Sequence, residues 1–171
     1  MKKIQDNLFY DERSAGGIVY KIENGKIYWL LIRTANLPGR RRMGSGSRKN
    51  LKSIYKFPKG HLKDREFLKE AALREVEEEG VVKARIISKI GSRDYVIWDR
   101  ANKKKIIKKV TFFLMEYLAP SNLKHFDREV VLERLWLTYE EANSKLVYDS
   151  EKILLGKAKE KLDKLLRNNG L

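Results

Sequence analysis

The chain of 171 residues contains no cysteine and only three prolines, and acidic side chains are in the minority. Without cysteine there can be no disulfide, no thiolate metal site and no cysteine nucleophile. No stretch approaches ~20 consecutive apolar residues, so nothing in it is built to span a membrane. The opening MKKIQDNLFYDER has basic residues but no apolar segment behind them, unlike a signal peptide. Together these absences point to the cytoplasm. The length suits one domain able to bury a sizeable core. Against 38 Lys and Arg stand 23 Asp and Glu, a formal net charge of +15. An excess of that size favours polyanionic partners such as nucleotides, polyphosphates or RNA, although much of it is lysine scattered over presumed surface faces.

Acid is scarce overall, yet it concentrates in one place. Residues 57–82 read FPKGHLKDREFLKEAALREVEEEGVV. Glu75, Glu78 and Glu79 are spaced i, i+3, i+4, so a helix would project all three carboxylates from one face. Like charges so arranged repel, and a hard divalent cation with oxygen ligands would neutralise them. Ahead of them, Pro58 fixes the chain before a turn and Gly60 lets backbone groups approach a ligand closely.

Gly60, Glu66, Arg74, Glu75, Val76, Glu78 and Glu79 stand at the spacing G-x5-E-x7-R-E-U-x-E-E. In this the chain resembles the Nudix hydrolase family, whose motif continues x-G-U, with U aliphatic. Here the pattern slips: Gly80 falls one place early and Val81 occupies the expected glycine. The resemblance implies an α/β/α sandwich with a mixed central sheet, where patterning alone gives α+β. It also implies Mg²⁺, with Mn²⁺ as a substitute, held by Glu75, Glu78, Glu79 and the Gly60 carbonyl. Arg74 and Glu66 would be structural members of the motif, and Glu78 or Glu79 would orient the attacking water. Many family members recruit a further glutamate late in the chain as metal ligand or base, for which Glu129 and Glu133 are the candidates.

Elsewhere, Ser14–Tyr20 reads as a first strand, Asn24-Gly25 as a hairpin turn and Ile27–Ile32 as the return strand. Gly16 and Gly17 fit either tight packing or a nucleotide-facing edge. Residues 35–53 form a loop carrying Arg40, Arg41, Arg42, Arg48 and Lys49, the densest basic patch, suited to polyphosphate or an RNA backbone. The motif helix is expected over about Phe67–Glu79, with Phe67, Ala71, Ala72 and Val76 facing a sheet. His61 reads as a loop hydrogen-bonder. A strand falls within Val81–Trp98, and Ile106–Leu118 reads as a central strand buried on both faces. Tyr95 and Trp98 could stack on a base. An amphipathic helix over 150–168 carries Ile153, Leu154, Ala158, Leu162 and Leu165 on its apolar stripe.

Within the family, AGGIVY, FPKGH, KKVTFF and the segment running from Glu133 to Trp136 resemble the diadenosine tetraphosphate hydrolases. There a lysine of the K-x-V-x-Y-F strand reaches the phosphates, which makes Lys108 the candidate here, with Lys59 and the Arg40, Arg41 and Arg42 loop holding the rest. The resemblance therefore implies Mg²⁺-dependent cleavage of a phosphoanhydride in a dinucleoside polyphosphate. Removal of pyrophosphate from RNA 5′ ends, sanitation of oxidised nucleoside triphosphates, and a non-catalytic module binding RNA or nucleotides are the alternatives.

Overall fold

A computed structural model describes residues 12–35, 53–99, 104–123, 131–168 and 170. In chain order the elements are β1 (Glu12–Glu23), β2 (Lys26–Ala35), β3 (Ser53–Lys56), β4 (Lys59–His61), α1 (Leu68–Gly80), β5 (Val82–Asp99), β6 (Lys104–Pro120), β7 (Val131–Leu137), α2 (Tyr139–Lys145) and α3 (Asp149–Asn168). The strands make one sheet in the order β3-β2-β1-β6-β5, with β4 added on β1 and β7 on β2. The β1–β6 pair is parallel and the remaining pairs are antiparallel, so the sheet is mixed.

Strict alternation sends successive side chains to opposite faces. Ile18 and Tyr20 of β1, Trp29 and Leu31 of β2, and Phe112 and Leu114 of β6 join Leu154, Leu155 and Ala158 of α3 in one core. Ala15 and Val19, Leu30, Phe113 and Met115 meet Ala71, Ala72 and Val76 of α1 in a second core on the other face. The result is the α/β/α sandwich, with α1 on one side and α2 and α3 on the other. β6 is the central, doubly buried strand expected from its composition. No helix among the described residues is long and apolar enough to cross a membrane.

The β1–β2 connection is the two-residue turn Asn24-Gly25, both with positive φ (51° and 72°). That matches the strand twist and makes the dipeptide a natural hairpin. Gly16 and Gly17 answer to packing: a side chain on Gly16 would collide with Pro58 and Lys59, and one on Gly17 with Val76 and Met115. Two helix faces differ from expectation. Phe67 is the exposed N-cap of α1 (74% exposed) and takes no part in the core. In α3, Ile153 points to solvent, and the buried stripe is Glu151, Leu154, Leu155, Ala158 and Leu162.

The early Gly80 also has an explanation. It is the last residue of α1, and a Cβ there would lie 3.0 Å from Leu30 Cδ2. Val81, the following residue, caps the helix in the left-handed conformation (φ 57°, ψ 38°) and donates its N–H to Glu77 O at 3.0 Å. The position the family motif gives to glycine is thus one where glycine is the comfortable residue. Here a β-branched side chain is forced into it.

Candidate active site

β4 carries Lys59 and Gly60, and α1 follows after a short loop. The two are locked by Arg74. Its Nε and Nη2 donate to the two oxygens of Glu66 at 2.7 and 2.9 Å, a bidentate fork, while Nη2 also reaches the His61 carbonyl at 2.9 Å. Nη1 donates to Glu75 Oε1 at 2.6 Å and to Glu78 Oε2 at 3.1 Å. Glu66 also accepts the Lys63 N–H at 2.8 Å. One guanidinium therefore bridges loop and helix, as its planar set of donors allows. The Arg74 hydrogen bonds hold Glu66 down at about 2, far below a carboxylate's usual range.

Glu75 is the buried member of the acidic face (9% exposed). Burial pushes its pKa up, against the pull of Arg74. Its carboxyl group sits directly against Gly60, so closely that any Cβ at residue 60 would overlap it. That close approach is why the loop needs glycine there. Glu79 accepts the main-chain N–H of Lys59 at 2.8 Å, and Glu78 has Lys63 Nζ 3.8 Å from Oε1. The three carboxylates thus face one loop. Among the described residues no three His, Asp or Glu side chains converge on a single point.

Beside this loop lies an open cleft of about 400 Å³, lined by Lys56, Lys59, Tyr95, Val96, Tyr148 and Glu151. Lys108 also lines it; its Nζ stands 3.2 Å from His61 Nε2 and 3.8 Å from Glu12 Oε2. Burial, with repulsion from Lys56, lowers the Lys59 pKa, while Glu151 and Glu79 work to raise it. Glu151 is 1% exposed, and its carboxyl is pushed up to about 7 by burial, with Lys59 and Lys56 pulling the other way. Burial also raises the Tyr95 phenol, partly offset by its hydrogen bond with Ser150.

The fold therefore gathers Gly60, Glu66, Arg74, Glu75, Glu78 and Glu79 at the β4–α1 junction, and Lys59, Lys108 and Tyr95 around the adjoining cleft. Glu133 lies on the face of the sheet opposite α1. Its side chain shares the parity of Leu135, which packs on the α2–α3 side of the sheet, and accepts from Arg33 Nε at 2.8 Å. The opposite parity belongs to Arg134, whose Nε donates to the Glu79 carbonyl at 2.7 Å. Glu133, one of the late-chain candidates, is thus an ion-pair partner of Arg33 on the face of the sheet away from α1. Glu129, Arg40, Arg41, Arg42, Arg48, Lys49 and the side chain of Trp98 lie outside the described residues. Lys56, Tyr148 and Glu151 were not singled out by sequence, yet Glu151 had a signal. It is a carboxylate at i−3 and i−4 from Leu154 and Leu155, on the apolar stripe of α3.

The family model described as the NUDIX domain matches residues 12–156. The chain belongs to the Nudix family. A protein of Mycobacterium tuberculosis described as the mutator protein MutT4 is 33% identical over 112 residues, 66% of this chain and 44% of that protein. The chain therefore spans less than half the length of this curated relative. Among solved structures, a Caenorhabditis elegans Ap4A hydrolase binary complex is 24% identical with a TM-score of 0.64, covering 90% of this chain and 98% of that one. The NUDIX domain of Shewanella oneidensis NrtR, complexed with ADP ribose, reaches the same TM-score at 12% identity, with 94% of each chain covered. At these identities the structures speak for the fold.

Proposed function

We propose that this protein hydrolyses a phosphoanhydride bond in a nucleoside diphosphate linked to a further moiety, and that the moiety is a second nucleotide, making the substrate a dinucleoside polyphosphate. The observation that carries this reading is the complete G-x5-E-x7-R-E-U-x-E-E set locked by Arg74 directly beside a cleft lined by Lys59 and Lys108.

Nudix hydrolases generally use divalent metal ions. The donor chemistry fits a hard cation such as Mg²⁺: Glu75, Glu78 and Glu79 offer only oxygen, from one helix face beside the Gly60 backbone. Such an ion supplies Lewis acidity toward phosphoryl oxygens and a lowered pKa for bound water. The chain's own residues do the remaining work. Arg74 orients Glu75 and Glu78 and offsets their mutual repulsion. Glu78 or Glu79 would orient the attacking water, with Glu129 or Glu133 as candidates for the general base. The ammonium groups of Lys59 and Lys108 would neutralise phosphates in the cleft.

The RNA 5′-pyrophosphohydrolase reading draws on the net charge of +15. A panel of diadenosine polyphosphates, nucleotide sugars, oxidised nucleoside triphosphates and triphosphorylated RNA, assayed with and without Mg²⁺ and with products identified, tests both. The expected result is Mg²⁺-dependent release of mononucleotides from the dinucleoside polyphosphates. Preference for nucleotide sugars or RNA ends would overturn the substrate; inactivity on the whole panel would overturn the reaction.

A further inference from the structure

Glu151 carries a feature that the proposed reaction leaves unused. It lines the cleft while almost wholly buried, and its Oε2 has no hydrogen-bond partner. A buried acceptor without a partner loses its hydration with nothing in return, so native proteins keep few of them. Lys56 and Lys59 stand close enough to attract its charge electrostatically, but neither removes the orphan. The remainder of the cleft is not a cage for anions alone. Lysines line part of it, while Ile54, Val96 and Val110 give it apolar walls and Tyr95 and Tyr148 add aromatic ones. A phosphate placed against ionised Glu151 would meet repulsion. A neutral group bearing an N–H or O–H would meet the missing partner. The volume of about 400 Å³ lies in the range of small-molecule sites and suits a nucleoside with its first phosphates.

We propose that Glu151 is a specificity-determining residue: its unpaired carboxylate oxygen accepts a hydrogen bond from a donor on the nucleoside part of the ligand, while the lysines of the same cleft face the phosphates. The donor is either an amine or imine N–H of the base or a ribose hydroxyl. This rests on the nucleotide-derivative reading above and names the group within that site that would discriminate among nucleosides. A site built to satisfy a buried acceptor rejects an analogue lacking the donor far more strongly than an apolar pocket rejects a missing methylene.

The test is calorimetric titration of the full chain with nucleoside diphosphates in pairs that differ by one donor. Adenosine is paired with purine riboside, guanosine with inosine, and ribose with 2′-deoxyribose and 3′-deoxyribose. In the wild type, at least one pair should differ in Kd by ~10-fold or more. The same pair should fall to within about twofold in Glu151→Leu. In Glu151→Gln, which keeps one acceptor but loses the charge, the preference should be partly retained. The base pairs and the sugar pairs separate the two sources of the donor. Wild-type affinities within twofold for every pair would overturn the proposal even if no variant folds. So would a preference that survives unchanged in Glu151→Leu. Failure to bind any nucleoside diphosphate would overturn it too; Mg²⁺-dependent turnover on the substrate panel would then leave the hydrolytic reading standing, and its absence would remove both.

Discussion

Glu78 is the side chain whose replacement best separates chemistry from fold. It is 35% exposed, and its bond to Arg74 is one of five that the guanidinium makes. Glu78→Gln should therefore leave stability within about 0.5 kcal/mol of wild type, as exposed ion pairs usually do. Turnover should fall on the order of 10³-fold, the scale of losing a positioned acid–base group. Thermal melts and Mg²⁺-dependent turnover measured on one preparation check both halves, and near-wild-type activity would remove Glu78 from the site. Glu151 yields a prediction of a different kind. Its pKa rises from 4.5 to about 7 on folding, facing Lys56, Lys59, Tyr95 and Tyr148. Between those values the folded chain holds a proton that the unfolded chain has released, so this group's contribution to stability is present below pH 4.5 and lost as pH rises through 7. Glu151→Gln abolishes that titration. The stability of the variant relative to wild type should climb between pH 5 and pH 8, measured by denaturant unfolding at each pH. A flat difference across that window would contradict the assigned environment.

At the scale of elements, α1 ends in a conformation its own cap residue resists. Left-handed backbone costs a residue with a side chain roughly 1–2 kcal/mol, and a β-branched one is the least suited to it. Val81→Gly should release that strain, offset in part by the extra freedom of glycine in the unfolded chain. A net gain of about 1 kcal/mol, or ~2–4 °C in Tm, is expected. Unchanged or lower Tm would mean that packing of the Val81 side chain outweighs the backbone term. The same helix shows what the sequence could and could not disclose. Its start, its buried alanines and its carboxylate face were legible because spacing on a helix dictates direction. Phe67 misled because it stands one residue before the helical rhythm begins, where a large apolar side chain need not turn inward. Ile153 misled for a related reason: Leu155 is equally apolar, and periodicity alone does not choose between neighbouring stripes when the helix has two. The hairpin at Asn24-Gly25 was the easiest element to read, since few dipeptides accept positive φ twice in succession.

For the molecule as a whole, the local motif was readable and its surroundings were not. Gly60, Glu66, Arg74 and the three glutamates lie within one continuous segment, so their geometry follows from one loop and one helix. The cleft is assembled from β3, β4, β5, β6 and α3, and no spacing along the chain announces that Lys56, Tyr95 and Glu151 will meet. The side to which Glu133 turns was hidden for the same reason, because the face of a sheet that a residue takes depends on the register of β7 against β2. Net charge is likewise a property of the whole. If the +15 serves RNA, binding should weaken steeply with salt, by on the order of 10³-fold between 50 and 200 mM for a contact with many phosphates. For hydrolysis of a small dinucleotide, kcat should change little over that range while responding to Mg²⁺. Turnover measured across a salt series on both substrates distinguishes them.

Lys59 is a single residue with two commitments. Its main-chain N–H is held by Glu79, and the residue also lines the cleft. A ligand that pulled the side chain would therefore act on the strand bonded to Glu79, and one that drew Glu79 away would act on a residue of the cleft. The two sites are thermodynamically conjugate: whatever factor an occupant of one imposes on affinity at the other, it receives in return.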